Sequence, residues 1–330
     1  MDFGFGPREL LLLKLLYSPG IGVGPYSVSE AAKKMGVSIP VVSRVAASLA
    51  KKGFLEAKRE GKRKIISLTS APHSIALLQL ASENPNSPLE AILSDSAIRV
   101  LSGMLNPPVS VEAISSASRT PEVTVRRTLV KLLEKGVVAR PKLAEHRIVL
   151  PRLKEFIEEY SNSALRSRIA GIKGVLNPWW PNAVFRTTEP PKAFMAPTGL
   201  SVFHNYGIKI IQTDSRDYYF NAFDDKPKPP ALEEAVVHAL TWTVKNSSAR
   251  ETSYAMLVVH KNWKEFDKDK FDSAAKAWGV RSVAERCLEL VEGFVNGEKW
   301  QEPLINGFPT VDGPIWPSWE EFEELVKQYE

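Results

Sequence analysis

The amino-acid sequence predicts a mixed α+β fold in three parts: two similar parts that each combine helices with a terminal hairpin, followed by a third part of mixed helices and strands. Three observations support this prediction. They are a helix–helix–hairpin pattern over residues 27–69, a second copy of it 83 residues later, and a change of composition after residue 170. At 330 residues the chain is long enough for two or three domains, each with its own core.

The first copy begins with the start and stop signals of two short helices. Ser27 and Glu30 have the spacing of a capping box, in which each side chain satisfies a free N–H group at a helix start. Gly36 is expected to end that helix. Ser38 then offers a second N-cap, and Pro40 falls in the first turn of the next helix, where its missing N–H costs little.

A hairpin is predicted directly after these helices. Residues 54–68 alternate enough to pair as two strands, with a turn at residues 60–62. Basic residues cluster around the turn: Lys58, Arg59, Lys62, Arg63 and Lys64. The second of the two short helices is predicted over residues 39–52, and further helices are predicted over residues 7–17 and 71–81. This order is typical of a winged helix-turn-helix domain, here over residues 1–86 with a linker helix.

The second copy follows from an internal repeat at an offset of 83 residues. The repeat aligns Val42 with Val125, Arg44 with Arg127, Leu49 with Leu132, Gly53 with Gly136, and Ile66 with Val149. It predicts a second winged helix-turn-helix domain over residues 87–170. The helix expected at residues 151–169 is either a connector or a dimerisation helix.

The charge of the chain is unevenly distributed. Its net charge is +5, but residues 1–150 contain 21 Lys and Arg against 12 Asp and Glu, so that half carries +9 and the remainder −4. Positive charge gathered on one part of a chain favours a polyanion partner, since neutralising phosphates releases condensed counterions. The alternative is a basic face that is simply exposed to solvent. Charge alone does not distinguish it from a polyanion-binding surface, so the choice rests on the predicted fold.

In winged helix-turn-helix domains one helix enters the major groove, while the helix ends and the hairpin contact phosphates. This geometry predicts which residues contact DNA. In the first copy they are Ser38, Ser43, Arg44, Lys51, Lys58, Arg59, Lys62, Arg63 and Lys64. In the second copy they are Thr124, Arg126, Arg127, Lys131, Arg140, Lys142 and Arg147. Arg44 is the sharpest prediction, because arginine can hydrogen-bond both O6 and N7 of guanine; a solvated helix residue is the alternative. The first copy is assigned the main DNA contact, and the second is an auxiliary binder or an assembly module.

The third part, residues 171–330, is predicted to be an α/β domain for partner binding or dimerisation. Its expected strands lie at residues 207–211, 218–223 and 254–260, and its expected helices at residues 231–245, 271–277, 283–295 and 315–329. The last of these strands, YAMLVVH, is the best candidate for a buried one.

No catalytic residue, metal site or cofactor is predicted. The sequence contains no glycine-rich phosphate loop, serine nucleophile elbow or His-Glu-x-x-His motif. Asp214, Asp217, Asp224 and Asp225 with Lys226 suggest a magnesium-dependent nuclease as an alternative. A solvated, proline-bounded loop explains this cluster more simply.

The sequence also bears on the compartment. Cys287 is the only cysteine, which excludes an internal disulfide and a cysteine-based zinc site. The apolar run at residues 10–16 is too short to span a bilayer and lacks a signal peptide's cleavage pattern. A cytoplasmic protein that makes no membrane contact is expected.

Three stretches resemble the C-terminal domain of AbiEi-type transcriptional regulators of viral defence systems. They are TGLSVFHNYGI at residues 198–208, PALEEA at residues 230–235 and FDSAAKAWGVRSVAERCLELVE at residues 271–292. The resemblance implies a winged-helix N-terminus that represses its own operon and, in some members, an antitoxin role towards a nucleotidyltransferase toxin. Such members have one winged helix where this chain has two predicted copies, which weakens the antitoxin role more than the DNA-binding role.

Together these observations predict a DNA-binding transcriptional regulator that represses by occlusion. Its expected partners are double-stranded DNA, a second copy of the chain as a homodimer, and a partner protein such as a toxin. An antitoxin-type regulator, a DNA-processing nuclease and an interaction scaffold without DNA affinity remain as alternatives.

Overall fold

The computed structural model describes residues 4–17, 25–87, 89–105, 110–142, 145–210, 214–300 and 313–330. It is a mixed structure of helices and sheets, which confirms the α+β class. The chain divides into two compact units, Met1–Ile169 and Ala170–Glu330. The predicted boundary at residue 86 lies inside the first unit and stays a prediction. No helix among the described residues is both long and apolar enough to cross a bilayer.

The first half of the first unit has the predicted order of helices and hairpin. Its elements are α1 (Pro7–Tyr17), β1 (Tyr26–Ser27), α2 (Val28–Met35), α3 (Ile39–Lys51), β2 (Leu55–Glu60), β3 (Arg63–Leu68) and α4 (Pro72–Glu83). The three strands form one antiparallel sheet in the order β1-β3-β2.

Local capping explains both ends of α2 but not the start of α3. Ser27 Oγ accepts the Glu30 N–H at 3.2 Å, and the Glu30 carboxylate accepts the Ser27 N–H at 2.9 Å, which is the predicted capping box. Hydrogen bonds from Ser27 lower the pKa of Glu30. Gly36 ends α2 in the left-handed region with φ 65°, as expected. Ser38 is the N-cap of α3, but its side chain makes no capping hydrogen bond.

The second half of the unit repeats the order of three helices, a hairpin and a helix, with an additional short helix at its start. Its elements are α5 (Leu89–Ile92), α6 (Asp95–Ser102), α7 (Val111–Ser118), α8 (Glu122–Glu134), β4 (Val138–Lys142), β5 (Glu145–Ile148) and α9 (Leu153–Arg168). The offset of 83 residues superimposes both ends of α2 on α7 and both ends of α3 on α8. Arg119 adopts φ 47° at the position where the first copy has Gly36.

The repeat offset changes inside the hairpin. Leu55 pairs with Leu68, whereas Val138 pairs with Ile148, so the second hairpin closes three residues sooner. The predicted equivalence of Ile66 and Val149 is therefore wrong. Ile66 is fully buried in β3, but Val149 follows β5 and is 40% exposed.

The apolar side of α9 is covered within the same unit, where α9 packs on α4 and α6. Leu153, Phe156, Ile157 and Leu165 of this side are fully buried. This arrangement favours the connector over the dimerisation helix, because a dimerisation helix would need its apolar side free.

The second unit combines an antiparallel sheet with five α-helices among its described residues. The elements are β6 (Val175–Trp179), β7 (Asn182–Thr187), β8 (Ala196–Pro197), a 3₁₀ helix (Gly199–Tyr206), β9 (Arg216–Asn221), α10 (Leu232–Asn246), α11 (Ala249–Lys261), α12 (Lys268–Ala277), α13 (Arg281–Val295) and α14 (Trp319–Tyr329). The strand order is β6-β7-β9-β8. The core lies around α10 and α11, with Trp242, Met256 and Phe271 fully buried.

Two of the predicted strands are wrong. Residues 254–260 lie in α11, whose start is capped by Ser248 Oγ accepting the Glu251 N–H. This stretch is apolar on all sides because α11 packs on α10, α13, α14 and the 3₁₀ helix, and a short apolar run has no periodicity that separates a strand from a buried helix. Residues 207–210 form no strand either, since Gly207 ends the 3₁₀ helix with φ 84°; residue 211 lies outside the described residues.

Candidate nucleic-acid interface

Helix α3 presents a polar and basic side opposite its buried stripe. Val42, Ala46 and Leu49 face the core at 0–2% exposure, the spacing expected for a single helical face. On the other side Arg44 and Lys51 are exposed. Ser43 is half-buried, and Ser38 is exposed at the helix start. The predicted contact residues of this helix are thus accessible to a large ligand.

The first hairpin carries its positive charge on exposed side chains. Lys58, Arg59, Lys62, Arg63 and Lys64 are all exposed. Strands β2 and β3 join through a two-residue turn in which Gly61 has φ 60°, so the tip is tight and well defined.

Like charges face each other across this hairpin. Arg59 and Lys64 are directly paired across β2 and β3. Like charges at such positions destabilise an isolated hairpin. Lys58 pairs with Glu56 at 3.2 Å, but among the described residues no acidic side chain lies within salt-bridge distance of Arg59 or Lys64. An external anion would remove this repulsion.

The structure adds Arg8, which the sequence analysis missed. Arg8 and Arg44 line the same open groove of about 530 Å³, together with Val41 and Ser48. The neighbouring Glu9 does not neutralise them, because its carboxylate is turned inward to Lys52 at 2.8 Å. Arg8 stands at the start of α1, and only the packing of α1 on α3 brings it to this groove.

The second copy presents a different surface. Arg127 and Lys131 on α8 and Arg147 on β5 are exposed, and Thr124 is half-buried. Two of its other exposed cations have acidic partners, Arg126 with Glu122 at 3.0 Å and Lys142 with Glu145 at 3.9 Å. Arg140 lines a concavity with His146 and Glu122. The positive charge of this copy is therefore more fully compensated within the chain.

Apolar residues also occupy the exposed side of α8. Val123 is 60% exposed and Val130 is 53% exposed, where the first copy has Pro40 and Ala47. The two helices therefore share an arginine in the second turn but differ around it.

The acidic residues of the C-terminal unit do not form the predicted solvated cluster. Asp217 lies on β9, is 2% exposed, and accepts hydrogen bonds from Arg186 Nε at 2.6 Å and Nη2 at 3.0 Å. Arg186 Nη1 also donates to Glu251 at 2.6 Å. Burial raises the pKa of Asp217, and its bonds to Arg186 oppose that rise. The loop explanation is thus wrong for Asp217, whose carboxylate is occupied by Arg186, the residue that links the sheet to α11.

The remaining carboxylates lie apart from Asp217. Asp214 is exposed before β9, and Asp224 accepts the Lys226 N–H in the turn after it. In the part of the chain that the structure describes, no group of three or more His, Cys, Asp or Glu residues is placed to hold a metal ion.

His238 is a strongly shifted titratable group of the second unit. It is fully buried, its Nδ1 lies 2.6 Å from Thr198 Oγ1, and burial lowers its pKa to about 3. Its Nε2 lies 3.7 Å from Glu234, but a neutral imidazole makes no salt bridge there. Burial raises the pKa of Glu234.

The contribution of His238 to the free energy of unfolding of the second unit should therefore fall in acid. In the unfolded chain His238 takes up a proton below about pH 6.5, whereas in the folded unit it stays neutral to about pH 3. The neutral site thus contributes stability above pH 6.5 that is lost as the pH falls, by up to about 1.4 kcal/mol per pH unit. Denaturant titrations from pH 7 to pH 4 should show a shallower decline for His238→Asn, which does not titrate. Parallel slopes for the two proteins would contradict this assignment.

Comparison with known proteins concerns the C-terminal unit alone. Residues 192–330 match the family model described as HVO_2833 C-terminal. The match begins just before β8 and runs to the end of α14. No curated protein matches the chain.

Proposed function

We propose that this protein is a DNA-binding transcriptional regulator whose first unit consists of two winged helix-turn-helix domains. Helices α3 and α8 act as recognition helices and the two hairpins as wings. The C-terminal unit serves association with itself, a partner protein or an effector. Bound over a promoter, the protein represses by excluding the polymerase.

The observation that carries this proposal is the exposed positive surface of the first copy. The sixteen predicted contact residues include none that is buried. Placing Arg59 directly across from Lys64 does not stabilise the hairpin itself, because the two charges repel each other. A phosphate backbone bound there would neutralise both charges. The antitoxin role suggested by the resemblance to AbiEi-type regulators remains an alternative within the same proposal. The occupied carboxylate of Asp217 weighs against the nuclease alternative.

Substitution of Arg44 and of Lys62 should have different effects on DNA binding. Arg44→Ala removes a base contact and is expected to weaken binding to a preferred duplex by about 1–3 kcal/mol and to relax its sequence preference. Lys62→Ala removes a phosphate contact at the hairpin tip. It is expected to weaken binding to all sequences alike and to reduce the slope of log K against log salt by about 0.9.

The measurement is a fluorescence-anisotropy titration at several salt concentrations, with a duplex selected from a random-sequence library by the full-length protein. Lys264→Ala is the matched control, since it removes one exposed positive charge from the C-terminal unit. Equal and salt-independent affinity for the wild type and both variants would rule out the proposed function.

A further inference from the structure

We propose that the first unit is a single-chain equivalent of a dimeric DNA-binding protein: one chain binds one duplex at two unequal half-sites in inverted orientation, with α3 on one and α8 on the other. This inference rests on the proposed function and adds the architecture of the DNA site. It follows from how the two copies contact each other.

The first observation is that equivalent helices of the two copies pack antiparallel. Helix α4 follows the first hairpin and α9 follows the second, and they lie against each other. The end of α4 meets the start of α9, where Glu83 pairs with Arg152 at 2.9 Å and Asn84 Nδ2 donates to the Pro151 carbonyl at 3.2 Å. The start of α4 meets the middle of α9, where the rings of His73 and Tyr160 lie 6.0 Å apart. Two equivalent helices that pack antiparallel are related locally by an approximate two-fold rotation, which is also the relation between the subunits of an isologous dimer.

A second contact between equivalent elements supports the same relation. The start of α1, the first helix of copy one, meets the start of α6, its counterpart in copy two. The Gly4 N–H donates to Asp95 Oδ1 at 2.9 Å, and the Phe5 N–H donates to the Leu93 carbonyl at 3.1 Å. The approach is so close that a Cβ atom on Gly4 would lie 2.2 Å from Asp95 Cα.

An aromatic cluster fixes the two copies as one body. Phe54, at the start of the first hairpin, is fully buried, and its ring lies 5.3 Å from Tyr160 and 6.4 Å from Phe156 of the second copy. Phe5 packs on both Phe54 and Tyr160. Such close-packed contacts do not slide freely, so the distance and angle between α3 and α8 are set by the fold.

The two half-sites are unequal because the two helices differ. Both place an arginine in the second turn, Arg44 and Arg127, but Lys51 of α3 corresponds to Glu134 of α8. A two-fold relation between the copies presents α3 and α8 to a duplex in opposite orientations. The apolar side of α9 is covered within the same unit, so the pairing of the two copies is complete within one chain. No second chain is therefore needed to supply a second DNA-binding helix.

The test is in vitro selection from a random-sequence duplex library with the full-length protein, followed by measurement of the mass of the complex by light scattering. The expected motif has two different half-sites in inverted orientation, with one chain per duplex. Arg44→Ala should lose the sequence preference at one half-site and Arg127→Ala at the other. Each should bind the wild-type motif about tenfold more weakly or worse.

Spacing provides the decisive measurement. Insertion of about five base pairs between the half-sites turns one of them by half a helical turn. Wild-type affinity should fall about tenfold or more, while the affinity of Arg127→Ala, which no longer uses its half-site, should hardly change. A motif with one half-site, a direct repeat, two chains per duplex when duplex is in excess, or wild-type affinity that is indifferent to the insertion would overturn this inference and leave the proposed DNA binding standing. A failure to enrich any sequence, together with no binding to random duplex, would overturn both.

Discussion

Replacing Arg186 by methionine is expected to lower the free energy of unfolding of the C-terminal unit by about 3 kcal/mol. The substitution removes the cation that holds Asp217 and Glu251, so two carboxylates remain close together without a partner. Asp217 is almost fully buried and cannot regain hydration. The expected loss is at the low end of the range for broken buried ion pairs because 21% of the Arg186 side chain is exposed.

The chain provides a specific probe and a matched control for this prediction. All eight tryptophans lie between residues 179 and 319, so tryptophan fluorescence in a denaturant titration reports on the C-terminal unit alone. Arg281→Met is the control. Arg281 also contacts two carboxylates, Asp272 at 2.9 Å and Glu285 at 3.0 Å, but it is 53% exposed and should contribute no more than about 1 kcal/mol.

The pH dependence separates lost charge pairing from lost packing. In Arg186→Met the orphaned Asp217 takes up a proton more readily in the folded unit than in the unfolded chain, so its folded pKa is raised. The deficit should therefore be largest near pH 7 and should shrink as the pH falls towards 4. A deficit that is independent of pH, or one no larger than that of Arg281→Met, would contradict the assigned role.

Phe54→Ala is expected to destabilise the first unit by about 3–5 kcal/mol. The Phe54 ring is fully buried and contacts Phe5 at 5.1 Å and His73 at 4.6 Å between ring centroids, in addition to its partners on α9. Its removal leaves a cavity between the two copies that the backbone fills only in part. The unfolding transition followed by circular dichroism should move to a lower denaturant concentration. The transition followed by tryptophan fluorescence, which reports on the C-terminal unit, should not move.

One equivalent position and one exposed position in the second copy provide the controls. Val137 takes the place of Phe54 and is 1% exposed, so Val137→Ala should cost about 2 kcal/mol. Val130 is 53% exposed, and Val130→Ala should lie within about 0.5 kcal/mol of the wild type. If Phe54→Ala costs no more than Val137→Ala, the aromatic cluster is not the main junction between the copies.

Prediction from sequence worked best where the signal is local. The capping box of Ser27 and Glu30, the left-handed end at Gly36 and the turn at Gly61 are confirmed, because each involves residues a few positions apart. The charge on the first hairpin was equally visible, since five basic residues surround one turn. What these features bind is a functional hypothesis that the titrations above address.

Prediction failed where burial on all sides removed the signal. The stretch YAMLVVH has no polar side, so its apolar run fits a strand and a buried helix alike, and only its neighbours make it part of α11. The solvated-loop interpretation of Asp217 failed for a related reason. Its partner Arg186 lies 31 residues earlier, and no local pattern links the two.

The sequence by itself determined the order of helices and hairpins in the first unit, the spacing of its repeat and the asymmetry of charge, because these depend on chemistry within one turn or one hairpin. Only the tertiary structure decided that α4 and α9 pack antiparallel, that Arg8 lines the groove beside Arg44, and that the second hairpin closes early. These features join residues that are distant along the chain. They depend on how whole surfaces pack together, and such packing produces no regular spacing of residues in the sequence.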